Sequence, residues 1–253
     1  MDKLGGIGAS EIGKLFTEKG LKAKTARTLI LEKAKEILTG EKKNVTTPAM
    51  LHGIFSEELA YHTVVKECFP SSKLRSSDSI LIQDGLWATP DVTDDVEELT
   101  MDIKCPFTIA SFFKNIRSLP KAYIYQNQQQ MMATGHKKGM VCLFLTANRD
   151  REDHYGNIIE YDIDVNDRYR LLPLEADESI HSEILIRFDE FKRMRDFQVE
   201  TLADVTEVGD TEFFDIHKDN KVTRLKDKFN PQAWDESCII MNNSTYYVTE
   251  INN

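Results

Sequence analysis

The chain has 253 residues, 41% hydrophobic and 29% charged, which suits a globular α/β domain and excludes a disordered or fibrous chain. Its 42 acidic residues against 32 basic ones leave a net charge of −10, so composition by itself argues against a general nucleic-acid binder. No apolar run nears the ~20 residues that span a bilayer, and Met1 to Gly6 lacks the apolar core of a signal peptide, so the expected location is the cytoplasm.

Thr25 to Leu38 is amphipathic at helical spacing, with Gly40 as its stop. Thr47-Pro48 supplies a cap and a first-turn proline for a second helix, Ala49 to Lys66, which Cys68 to Ser72 breaks. Strands are expected at Ser79 to Gln83, Leu86 to Thr89 and Leu99 to Lys104, separated by Asp84-Gly85 and by the acidic loop Asp94 to Glu98. Phe107 to Ile116 and Lys121 to Thr134 read as helices, and the continuous apolar run Met140 to Thr146 as a buried strand. A further strand at Asn157 to Asp164 and a long helix from Leu174 to Phe197 complete the pattern. This order predicts an α/β or α+β domain with a mixed central sheet. From Thr201 the pattern weakens; residues 201–253 are expected to be an appendage to a domain over 1–200, with a hairpin across Asn242-Asn243.

The four cysteines, Cys68, Cys105, Cys142 and Cys238, are far apart and form no Cys-x-x-Cys pair, so reduced, mostly buried thiols are expected rather than a zinc cluster or a disulfide framework. The chemistry concentrates elsewhere, in Thr89-Pro90-Asp91, then ten intervening residues, then Asp102-Ile103-Lys104. Strand alternation puts Asp102 and Lys104 on one face, and a loop brings Asp91 beside them. Two adjacent carboxylates form a hard oxygen site suited to Mg²⁺, and a lysine on the same face serves a phosphate or an attacking water. Taken singly, each piece also fits a solvated strand face or a turn. Glu57, four residues after Gly53 on the preceding helix, is a candidate third acid, with Gly53 permitting close approach; the plain alternative is an exposed Glu57-Glu58 pair. The segment Tyr123-x-x-Gln126-x-Gln128-x-Gln130 is unusually dense in amides, which can grip phosphate oxygens or satisfy buried backbone.

Four motifs in this order, Gly53-x-x-x-Glu57, Pro90-Asp91, Asp102-x-Lys104 and Tyr123-x-x-Gln126-x-Gln128, resemble those of the YqaJ-type viral recombinase nucleases, the family of phage lambda exonuclease. Ile7 to Glu11, Lys104 to Thr108 and Ala122 to Thr134 support the resemblance, which covers Lys3 to Thr146 and weakens toward Phe197. It implies a PD-(D/E)xK, restriction-endonuclease-like core: α/β, with a mixed central sheet flanked by helices. It implies that Asp91, Asp102 and the carbonyl of Ile103 bind Mg²⁺ (Mn²⁺ substituting), that Glu57 is a further acid there, and that Lys104 orients or activates water. Ser10, Thr89 and Gln126 fall where the family holds a 5′-phosphate, and Tyr123 and Gln128 lie in the same DNA-facing motif. Three departures stand out: Lys3 replaces an arginine, Thr89 a serine and Asp102 a glutamate, and lysine lacks the guanidinium fork.

The family resemblance further implies a 5′-to-3′ exonuclease acting on double-stranded DNA ends. It would leave 3′ single-stranded tails for recombination and work as a homotrimeric ring with a single-strand annealing protein as partner. A ring reconciles the acidic total with DNA binding, because cations need only line its channel. Lys22, Lys24, Arg27, Lys114, Arg117 and Lys121 are the candidates. Two other readings use the same residues: an endonuclease sharing the core, and a DNA-binding protein of this fold without chemistry.

Overall fold

The computed structural model describes residues 3–42, 47–75, 78–146 and 163–206, with four short strands at 213–216, 222–225, 238–241 and 244–247. The chain divides into two units, one made of Met1–Ile7, Lys14–Lys43 and Glu183–Asn253, the other of Gly8–Gly13 and Asn44–Ser182. In chain order the first elements are β1 (Ile7–Gly8), α1 (Ala9–Ile12), α2 (Lys24–Thr39) and α3 (Pro48–Ala60). Next come α4 (Lys66–Cys68), β2 (Lys73–Leu74), β3 (Ile80–Gln83), β4 (Leu86–Ala88), β5 (Val92–Asp94) and β6 (Leu99–Lys104). Then follow α5 (Ile109–Arg117), α6 (Lys121–Thr134), β7 (Lys138–Phe144), β8 (Tyr169–Glu175) and α7 (Glu178–Thr206).

In the first unit, α2 buries Ala26, Leu29, Ile30 and Ala34, the apolar stripe that its spacing predicts. Lys33 joins that stripe because its ammonium donates to Glu36 Oε1 at 3.0 Å, so a buried cation has a buried anion. Glu36 Oε2 accepts from the Gly5 N–H at 3.1 Å, and Arg195 Nη1 of α7 donates to the Gly5 carbonyl at 2.6 Å. Both backbone groups of Gly5, which adopts φ 69°, are therefore held by charged side chains. The tail strands β9 (Phe213–Ile216) and β10 (Val222–Leu225) pair antiparallel, as do β11 (Cys238–Met241) and β12 (Ser244–Tyr247).

The second unit is built on a five-stranded mixed sheet in the order β2-β5-β6-β7-β8. Only β6 and β7 run parallel, with Asp102 opposite Val141; the other pairs are antiparallel. These two central strands are buried along almost their whole length, which is why β7 reads as a continuous apolar run from Met140. Alternation divides their side chains. Met101, Ile103, Cys142 and Phe144 pack with Tyr61, Val64 and Val65, whereas Val141, Leu143 and Leu145 pack with Phe112 of α5. β3 and β4 form a separate hairpin turned at Gly85, φ 80°.

Caps set the helix ends. Thr47 accepts from Met50 N at 3.2 Å, Thr108 accepts from Ser111 N at 3.1 Å, and left-handed Gly40 and Gly135 close α2 and α6. α3 does not run unbroken to Lys66: a π-helical turn, Tyr61–Val65, intervenes before α4.

Three expectations are corrected. Leu174 and Glu175 end a strand instead of starting a helix: β8 pairs with β7, with Pro173 opposite Met140, and α7 starts three residues later, where Asp177 Oδ1 accepts from Ser179 N. Asp94 closes strand β5 instead of opening the acidic loop, and its Oδ1 accepts from Val96 and Glu97 N–H to shape the turn. Glu207 to Lys228, polar and charged and given no element from the sequence, contains the β9–β10 pair. The strand expected at Asn157 to Asp164 lies almost wholly outside the described residues. The strands flanking Asn242-Asn243 pair as the expected hairpin requires, Met241 opposite Ser244.

Candidate active site

Asp102 sits on central strand β6, fully buried, and its neighbour Lys104 points to the same side. β5 pairs with β6 so that Val92 faces Met101; one further residue sets Asp91 opposite Asp102. Asp91 Oδ2 accepts from the Ile103 N–H at 2.6 Å, which ties the Pro90-Asp91 corner to the strand bearing Asp102. Sequence alternation and sheet register thus bring Asp91, Asp102 and Lys104 together.

The two oxygens of Asp102 are treated differently. Oδ1 accepts from Gln126 Nε2 at 2.7 Å and from Gln130 Nε2 at 3.0 Å, both on α6. Oδ2 is buried and ion-paired with the Lys104 ammonium at 2.8 Å. The Lys104 ammonium also lies 5.3 Å from the centre of the Tyr123 ring.

Burial raises the Asp91 carboxyl well above its ordinary range, and the Asp102 charge adds to this; Lys104 and the Ile103 N–H pull the other way without prevailing. Glu57 on α3 is raised too, first by burial, with Lys104 lowering it and Asp102 raising it. Burial pushes the Lys104 ammonium down, but Asp102 and Asp91 outweigh it and hold the group above its ordinary value. Crowded carboxylates that burden one another are relieved by a cation, and Asp102 Oδ2, which Lys104 alone engages, has lone pairs left for one. Among the described residues no three His, Cys, Asp or Glu side chains converge as a ligand set. Two carboxylates and a carbonyl nevertheless fit a hard divalent ion that keeps part of its water shell. Glu57 belongs to the electrostatic field of this pair rather than to a closed triad.

A model of the YqaJ-like viral recombinase domain matches residues 2–137. The chain belongs to this family. An alkaline exonuclease from Laribacter hongkongensis has a similar structure, 22% identical over 81% of this chain and 95% of that one, with a TM-score of 0.65. A phage-related exonuclease from Haemophilus somnus 129PT is 16% identical, covering 79% and 96% of the two chains, with a TM-score of 0.66. No curated protein matches the sequence. The fold is thus the mixed α/β, PD-(D/E)xK-like fold that the motifs imply, and membership of the YqaJ-like family places the protein among recombination-related nucleases.

Within this YqaJ-like domain the remaining expected residues fall in different settings. Thr89 is half-buried, its hydroxyl 2.8 Å from that of Ser79. Ser10 is exposed on α1. Lys3 belongs to the first unit, all the other site residues to the second. Gln126, expected at a phosphate, gives one N–H to Asp102 and keeps a second. Gln128 is buried, its Nε2 donating to the Glu175 carbonyl at 2.7 Å and its Oε1 accepting from Asp177 N at 3.0 Å, so both ends of its amide bond the protein's own backbone. Gly53 is corrected, since a Cβ there would meet open space and no close approach depends on it. The residue that the motif reading undervalued is Gln130. Its four-residue spacing from Gln126 was the available signal, because it puts both amides on one helical face.

Proposed function

We propose that this protein is a Mg²⁺-dependent 5′-to-3′ exonuclease that acts on double-stranded DNA ends and produces 3′ single-stranded tails for phage-type recombination. The observation that carries the reading is the convergence of Asp91, Asp102 and Lys104 on one side of β5–β6, with the buried Asp102 Oδ2 paired to Lys104 at 2.8 Å. Asp91, Asp102 and the Ile103 carbonyl would hold Mg²⁺, with Glu57 as a further acid and Mn²⁺ as a substitute. The ion supplies Lewis-acid stabilisation of the charge that develops on the scissile phosphate.

The chain's own residues do the rest. Lys104, held as an ammonium by its two aspartates, positions the attacking water by donating to it and steadies the phosphate oxygens. Ser10, Thr89 and the second N–H of Gln126 take the terminal 5′-phosphate, Lys3 is a further cation for DNA, and Tyr123 flanks Lys104 and faces the terminal nucleotide. Exposed Lys114, Arg117 and Lys121, with Lys22, Lys24 and Arg27, track the DNA backbone in a homotrimeric ring. A single-strand annealing protein receives the tail. We assign this activity to residues 1–200 and leave 201–253 as an appendage without an assigned role.

The test is digestion with Mg²⁺ of two linear duplexes, one 5′-phosphorylated and one 5′-hydroxyl, beside a closed circle. Preferential loss of the phosphorylated strand with the circle intact is the expected result. A cut circle would make the protein an endonuclease, and no cutting at all would leave a DNA-binding protein of this fold.

A further inference from the structure

We propose that Gln130 is a positioning residue for the metal site, and that it acts by dedicating one oxygen of Asp102 to the ion. The inference rests on the reading of Asp102 as a metal ligand. Gln130 is fully buried on α6. Its Nε2 donates to Asp102 Oδ1 at 3.0 Å and reaches the Thr89 carbonyl at 3.4 Å. One amide therefore spans from β6, which carries Asp102, to the corner two residues before Asp91.

The opposite end of the amide is anchored as well. Gln130 Oε1 accepts from Asn127 Nδ2 at 3.3 Å, and that nitrogen also lies 3.3 Å from the Thr100 carbonyl and 3.4 Å from the Met140 carbonyl. The Gln130 amide cannot turn without breaking its bonds to Asp102, the Thr89 carbonyl and Asn127, and Asn127 is itself tied to the backbones of both central strands. With Gln126 at 2.7 Å, Oδ1 already accepts two hydrogen bonds, about its full capacity. Rotation of the carboxylate is thereby blocked, and Oδ2, paired with Lys104 at 2.8 Å, is the oxygen turned toward the site. A buried and fully tied amide orients a ligand more strictly than a solvated one, because the competing hydrogen bonds to water are absent.

Gln129 gives the control. It is equally buried on the preceding position of α6, but its Nε2 donates to the Trp87 carbonyl at 2.8 Å. Calorimetric titration of Mn²⁺ into the full chain without DNA, together with steady-state digestion of a 5′-phosphorylated linear duplex, tests the proposal. Gln130→Met keeps the volume and removes the donor. It is expected to weaken Mn²⁺ binding by about 10- to 100-fold and to lower kcat while leaving KM for DNA ends unchanged, with excess Mn²⁺ restoring kcat. Gln129→Met should lower the melting temperature yet bind Mn²⁺ like the wild type. If Gln130→Met does not fold, Gln130→Asn withdraws the same amide by one carbon and should give the same weakening. Wild-type Mn²⁺ affinity in a folded Gln130 variant, or equal weakening in Gln129→Met, overturns the proposal. A wild-type chain that neither binds Mn²⁺ nor cuts DNA overturns the nuclease reading beneath it, and is distinguishable because every variant would then look alike.

Discussion

Burial beside Asp102 lifts the Asp91 pKa well above the ordinary aspartate value of about 3.9. The folded chain therefore holds this proton more tightly than the unfolded chain does. The resulting stability is complete below about pH 3.9 and is lost as pH rises through the folded value. In chelator, the melting temperature of the wild type should fall relative to Asp91→Asn as pH climbs from about 4 to about 8. Added Mg²⁺ should narrow the gap, because a cation then takes the place of the proton. Melting curves that keep a constant separation at every pH would remove Asp91 from the account. Lys104 admits a kinetic test. Lys104→Ala should slow cutting by about 10²- to 10⁴-fold while DNA still binds, and a variant that cuts at the wild-type rate would take the lysine out of the mechanism.

At the scale of elements, the packing of α6 on β7 decides what the glutamine-rich helix does. A Cβ at Gly139 would collide with Asn127 Oδ1 and with the Met131 side chain, so the strand approaches the helix as closely as a glycine allows. Gly139→Ala should cost about 1–3 kcal/mol in denaturant unfolding, since a packed interior has little room to yield. An unshifted midpoint would mean that the helix moves freely away from the sheet. This close approach also explains why the amide motif was only half legible. Its residue types announced polar business on one helix, and spacing paired Gln126 with Gln130, but only the packed sheet assigned Gln128 to the backbone at the end of β8 and Gln130 to Asp102. Similarly, Asp177 and the register with β7 ended β8 at a place where apolar spacing alone continued into a helix.

The whole molecule carries the question of assembly and DNA. If the ring reading holds, light scattering should give three times the 29.1 kDa chain mass, and a monomer at working concentration would refute it. Binding to linear duplex should also weaken steeply as salt rises, because phosphate contacts release counterions even from a protein with net charge −10. A flat salt response would point away from a cationic DNA track. Among the described residues no helix is long and apolar enough to cross a membrane.

By itself the sequence determined the mixed α/β plan, the helices α2, α5 and α6, the buried central strands and the family, because each depends on local periodicity, caps or short ordered motifs. Asp102 and Lys104 were legible for the same reason: a period of two puts them on one face. Tertiary structure alone decided the rest. The opposition of Asp91 and Asp102 depends on strand register across the β5–β6 turn, and strand β8 exists because β7 offers it an edge. The division of labour between the two oxygens of Asp102 depends on which helix packs beneath the sheet. These are contacts between residues far apart in the chain, and the free energy that selects them comes from shared burial, which no local pattern records.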